Sequence, residues 1–109
     1  MPKPDSLQGS LDLLVLKILS RRPRLHGYAI MTGIQEVSDD ALRVEEGSLY
    51  PALHRMEEDD WLRGRWIHKP NGRRARIYEL SPAGKKQLAA EEARWNQVTA
   101  AVNRVLRMA

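Results

Sequence analysis

Between Glu45 and Trp61 the chain reads EEGSLYPALHRMEEDDW, and the proline inside this stretch restricts what it can become. At about 100° per residue, Leu49, Ala52, Leu53 and Met56 fall on one side of a helix. Tyr50, His54 and Arg55 fall on the polar side. Proline breaks a helix interior but is tolerated in the first turn, where the N–H groups have no intrahelical partner. The spacing therefore predicts a helix starting at Gly47 or Ser48, with Ser48 as its N-cap. The polar face of such a helix either meets only water or enters a DNA major groove, and its surroundings decide between the two. The groove is the reading favoured here.

The 109 residues make one domain, with a single core and no room for a separate ligand-binding domain. A net charge of +4 and a pI near 9.8 suit an acidic partner such as nucleic acid. The absence of cysteine excludes a disulfide frame, a zinc-thiolate site and a thiol nucleophile. Charge interrupts every apolar run well short of membrane-spanning length. The opening MPKPDSLQGS lacks a hydrophobic leader core. A cytoplasmic protein without a membrane partner is expected.

Residues 1–9 read as a mostly irregular arm. Ser10 is a candidate N-cap, and Asp12 in the first turn suits the positive end of a helix dipole. Leu11, Leu14, Val15, Ile18 and Leu19 then recur at helical spacing, with Leu7 extending the seam. Arg21, Arg22, Pro23 and Arg24 end that helix. His26-Gly27-Tyr28 opens a second, whose inner face is Ile30, Ile34 and Val37, and Ser38-Asp39-Asp40 interrupts it. The Pro51 helix follows, closed by Asp60 in a left-handed conformation. Trp61–His68 and Ile77–Leu80 read as strands joined through Asn71-Gly72, a hairpin signal because both residues accept positive φ. Their alternation is imperfect, since Tyr78 and Leu80 share a parity with Arg74 and Arg76. Ser81-Pro82 caps a last helix running to about Arg107. Leu88, Trp95, Val102 and Ala109 recur in it every seven residues, with Val98 and Val105 between them. Such a stripe needs something to pack on.

Three helices followed by a hairpin describe a winged helix-turn-helix, with the third helix reading bases and the hairpin touching the flanking backbone. The expected fold is mainly α with a small β-hairpin: a DNA-binding domain over 1–80 and a long C-terminal helix over 81–109. Arg63, Arg65, Lys69, Arg73, Arg74, Arg76, Lys85 and Lys86 concentrate positive charge on and after the hairpin, opposed there only by Glu79. The Pro51 helix instead carries acids at both ends, which confines phosphate approach to its middle. His54, Glu57 and Glu58 have ligand spacing but no second histidine nearby, so neither metal nor cofactor is expected. No nucleophile elbow or phosphate-binding glycine loop occurs, which argues against an enzyme. Trp95 is either interface core or, if two last helices cross, the lining of a slot for a flat aromatic ligand. The alternative function is a protein-interaction module docking through its last helix without binding DNA. A third reading, small-molecule sequestration, would need tight apolar-ligand binding without effect on DNA.

The segments LDLLVLKILS, LHGY, VEEGSLYPALHRMEEDDWL and RRARIYELSPAGKKQL, in this order, resemble the PadR family of bacterial transcriptional regulators. The likeness runs from about Leu7 to Leu106, and GSLYPALHRME is its most characteristic run. One short last helix is similar to the small PadR-like subgroup. The resemblance implies a homodimer held by the last helix with help from the first, placing Leu11, Leu14, Leu88, Trp95, Val98, Val102 and Val105 at the interface. It implies binding of double-stranded DNA at a pseudo-palindromic operator, most often as a repressor. Ser48, Tyr50, Pro51, His54 and Arg55 then face the groove, and Lys69, Asn71, Arg73 and Arg74 form the wing. Tyr28 corresponds to the tyrosine of the HGY motif, either touching a phosphate or packing in the core. Some relatives respond to planar compounds, for which Trp95 is the candidate contact of a small aromatic effector. Asp60 stands where a glycine is usual, and Arg21, Arg22 and Arg24 where a small turn is common.

Overall fold

A computed structural model describes residues 6–109, and the side chains from Ser10 onward. Its elements are α1 (Ser6–Arg21), β1 (Leu25–His26), α2 (Gly27–Val37), α3 (Glu46–Glu58), β2 (Leu62–His68), β3 (Arg74–Leu80) and α4 (Pro82–Leu106). This is the winged helix-turn-helix order. No helix among the described residues is long and apolar enough to cross a membrane. The Leu7 side chain and the start of the expected arm lie outside the described residues.

Leu11, Val15, Leu16, Ile18 and Leu19 of α1 form the centre of the core, with Ile30 and Ile34 of α2 and Leu49, Ala52, Leu53 and Met56 of α3. Ser10 lies inside α1 rather than capping it, and Asp12 is buried beyond the first turn. Val37, expected on the inner face of α2, is 67% exposed, because it is the last helical residue and points past the core. His26 caps α2, its Nδ1 accepting from the Ala29 N–H at 3.2 Å.

The Pro51 helix starts earlier than the sequence suggested. Glu45 is its N-cap, without a side-chain cap bond, and Ser48 sits inside the first turn. Pro51 therefore falls in the second turn, where a missing N–H does cost one i→i−4 bond and leaves the Gly47 carbonyl without its helical donor. Both residues are exposed, so water can satisfy that carbonyl. At the far end Asp60 adopts φ 65°, with Asp60 N–H donating to the Glu57 carbonyl and Trp61 N–H to that of Met56. This Schellman pattern closes α3 with aspartate where glycine is the easier residue.

The sheet has three antiparallel strands in the order β1-β3-β2. Leu62 pairs with Leu80, Gly64 with Tyr78, Trp66 with Arg76 and His68 with Arg74. That register puts Arg74, Arg76, Tyr78 and Leu80 on one face, accounting for their shared parity. The inner half of the face is buried, while its outer half runs past the core. The turn is not the two-residue form that Asn-Gly suggests. Gly72 N–H donates to the Lys69 carbonyl and Lys69 N–H to that of Arg73, and only Gly72 has positive φ, at 85°. This is a three-residue loop, a turn begun by Pro70 and finished by a left-handed glycine. The Asn71 side chain accepts from the Arg73 N–H at 3.0 Å.

Ser81 joins hairpin to α4. Its hydroxyl donates to the Asp60 carbonyl and accepts from the Gly84 N–H at 2.9 Å, and its own N–H donates to the Trp61 carbonyl at 3.0 Å. From there α4 spans 25 residues, about 37 Å at 1.5 Å per residue. Its first turns pack on α1 and β3, and residues 93–109 are all exposed. Leu88 and Leu11, grouped above with the dimer contacts, are 9% and 5% exposed inside one chain, so little of either remains for a partner. Leu14 is half-buried, and Trp95, Val98, Val102 and Val105 stand clear at 49–64% exposure.

A Cβ on Gly84 would sit 2.1 Å from the Trp61 carbonyl oxygen, so a side chain there must push the end of the wing off α4. Gly84→Ala is expected to destabilise the fold by at least about 2 kcal/mol, read as a lower urea midpoint. An unchanged midpoint would mean that this joint yields freely.

Candidate nucleic-acid interface

With its apolar seam buried, α3 turns Ser48, Tyr50, Pro51 and His54 outward. The Tyr50 ring occupies the space that a side chain at Gly27 would need, which seats it against the start of α2. Tyr28 beside it is 60% exposed, so the core-packing alternative does not apply to its ring. His54 projects freely, its Nε2 3.3 Å from Glu58 one turn on.

Arg55 behaves differently from its neighbours. Its Nη1 donates to Asp12 Oδ2 at 2.9 Å and its Nη2 to Asp12 Oδ1 at 2.8 Å. A guanidinium reads guanine with the same two-pronged fork, and here α1 already occupies it. The hydrogen bonds to Asp12, and then its charge, hold the Arg55 pKa above its already high ordinary value. Ser48, Tyr50 and His54 remain exposed on the outward face of α3, with the Tyr50 hydroxyl against Gly27 and His54 beside Glu58.

The hairpin leans on α3 through a second ion pair, Arg76 to Glu57. Arg76 and Arg74 also lie over the Trp66 ring, at 5.2 Å and 4.6 Å from its centre. These cation–π contacts hold two arginines along one edge of the wing. Among the described residues Arg63, Arg65, Lys69 and Arg73 have no acidic partner, and all four are exposed. Arg24, from the turn before β1, reaches Glu79 at 3.6 Å. Between α3, the start of α2 and the hairpin runs an open cleft of about 640 Å³, walled by Tyr28, Tyr50, His54, Trp66, Arg76 and Tyr78. Burial, followed by the charge of Glu57, pushes the Tyr78 hydroxyl above its usual pKa and keeps it protonated.

The structure thus brings Tyr28, Tyr50 and His54 to one cleft, with Lys69 also on its lining and Arg73 and Arg74 on the adjoining hairpin. Arg55 is turned toward α1. Sequence reasoning missed Trp66, Glu57 and Arg76. Their parity was visible, but which strand face meets α3 depends on a register that the longer turn sets. Glu57 is committed to Arg76, and no group of three or more His, Cys, Asp or Glu able to hold a metal occurs among the described residues.

Known proteins share both sequence and fold with this chain. Residues 15–90 match the profile of the Transcriptional regulator PadR-like family. A transcriptional regulator of Mycobacterium tuberculosis is 40% identical over 57 residues, which cover 52% of each protein. Among solved structures, a PadR-like transcriptional regulator from Bacillus cereus superposes with a TM-score of 0.78 at 28% identity, covering 94% of this chain and 97% of that one. A transcriptional regulator from Clostridium thermocellum reaches a TM-score of 0.83 at 23% identity, covering 92% and 96%, and shows the shared fold. This chain belongs to the PadR-like family of transcriptional regulators, DNA-binding proteins rather than enzymes.

Proposed function

We propose that the chain is a homodimeric repressor of a pseudo-palindromic operator, with residues 1–80 as the DNA-binding unit and 81–109 as the dimerisation helix. The observation that carries this reading is the pairing of the outward face of α3 with a hairpin whose Arg63, Arg65, Lys69 and Arg73 are exposed and lack acidic partners among the described residues, across one cleft. Two such units would set their α3 helices in successive major grooves, about 34 Å apart. His54 and Tyr50 have the exposure to meet base edges. Lys69, Arg73 and Arg74, with Asn71 shaping the turn, would meet phosphates or enter the minor groove, adding affinity with less sequence information. Tyr28 and the Tyr50 hydroxyl border the path that a strand would take through the cleft.

The exposed stripe of Trp95, Val98, Val102 and Val105 supports α4 as the dimer contact, since such a face is costly to leave in water. With two α4 helices crossed, paired Trp95 rings would frame an apolar slot for a small planar aromatic compound. By linkage, such a ligand releases the operator only if it binds the DNA-bound dimer more weakly than the free one.

Fluorescence anisotropy on the DNA upstream of this chain's own gene tests the assignment; specific binding that resists excess random DNA is expected. Arg73→Ala with Arg74→Ala is expected to weaken specific and random DNA together, flattening the salt dependence by roughly one unit of slope per lost phosphate contact. An unchanged slope would take the wing out of the interface. Val98→Asp with Val102→Asp lies outside the folded core and is expected to give folded monomers with little operator affinity. Sedimentation of that variant as a stable dimer would remove α4 as the contact.

A further inference from the structure

Asp12 and Arg55 are 43 residues apart in the chain and meet in the bidentate geometry of a strong charge-assisted pair. The Asp12 side chain is 13% exposed and that of Arg55 38%, so the contact is closed at its α1 end and partly open at its α3 end. Stripping water from a carboxylate is expensive, and a partly buried ion pair is weak evidence for stability. What such a pair supplies is direction.

The rest of the α1–α3 contact lacks direction. Leu49, Ala52, Leu53 and Met56 are held by burial, which resists separation but tolerates small tilts. A tilt of about 10° around the middle of a ~20 Å helix moves its ends by roughly 2 Å, several times the tolerance of a hydrogen bond to a base edge. A two-pronged bond from the body of α3 to a neighbouring helix opposes such a tilt. Its other end matters equally. Helix α1 packs on both α3 and α4, and Lys17 reaches Glu92 of α4 at 3.4 Å. The chain of contacts Arg55–Asp12, α1, Lys17–Glu92 thus links α3 to the helix carrying the exposed stripe.

We infer that the Asp12–Arg55 pair is a positioning clamp that sets the angle of α3 relative to the dimer helices, and so the half-site spacing the dimer accepts. Arg55 is on this reading a positioning residue, and sequence is read by its neighbours. The inference rests on the proposed operator-binding dimer.

The test uses a duplex selected by the wild-type protein from a random library spanning about two helical turns, with versions carrying one base pair more or fewer at the centre. Asp12→Asn and Arg55→Met are each expected to fold and dimerise, by circular dichroism and sedimentation. Each is expected to bind the selected duplex about tenfold more weakly, and the double variant no more weakly than either, because both remove one interaction. The preference for native over altered spacing should shrink, while base preference at every position is retained. A merely stabilising pair would leave the spacing preference alone. Asp12→Glu keeps the charge and lengthens the arm, so it serves if the neutral variants unfold; it too is expected to reduce or shift the spacing preference. Wild-type spacing preference in the folded variants overturns the clamp. So does loss of preference at one base in Arg55→Met with Asp12→Asn unaffected, which makes Arg55 a base reader. Failure of the wild-type protein to select any duplex would instead count against the operator-binding function itself.

Discussion

Burial of one side of α3 is the constraint on which everything else in this protein depends. Leu49, Leu53 and Met56 are fully buried, Ala52 nearly so, and together they fix which residues are left outside. Burying those positions leaves Ser48, Tyr50, Pro51 and His54 to solvent. The seam sets which face is presented but not at what angle. Two ion pairs add that: Arg55 to Asp12 of α1 and Glu57 to Arg76 of the wing. Helix α3 is thereby tied to the helix layer on one side and to the hairpin on the other.

Those pairs change the charge balance around the interface. Counted along the sequence, α3 and its ends hold many acids, which looks unfavourable for approaching phosphate. In the fold Glu57 is paired to Arg76, so part of that negative charge is answered within the protein. Likewise Arg55 and Arg76 are not free to attract DNA. On the hairpin Lys69 and Arg73 remain exposed and without an acidic partner among the described residues. The proposed function assigns affinity from charge and choice of sequence to different elements, in line with the separation between phosphate contacts and base contacts in protein–DNA recognition.

Much of this was legible in the residues. The seams of α1 and α3, the Ser81-Pro82 start of α4 and the left-handed Asp60 follow from spacing and backbone preference, and each has its expected place. Three things were hidden for physical reasons. The strand Leu25–His26 is two residues long, too short for any periodicity, and exists only because Ile77 and Tyr78 lie beside it. The true start of α3 was obscured because Pro51 is tolerated a turn deeper than its own preference suggests, at an exposed position. The role of Arg55 depends on Asp12, and no local pattern announces a partner 43 residues away.

The division of labour between helix and hairpin is tested most directly by measuring how His54→Ala changes base preference across all single-base variants of a selected operator. His54 is exposed and carries no core contact, so the fold is expected to be intact. Loss of preference at one or two positions in each half-site, at about 1–3 kcal/mol per position and with the salt slope retained, is the expected result. Uniform weakening across all variants with a reduced salt slope would contradict it, placing α3 on the backbone and sequence reading elsewhere.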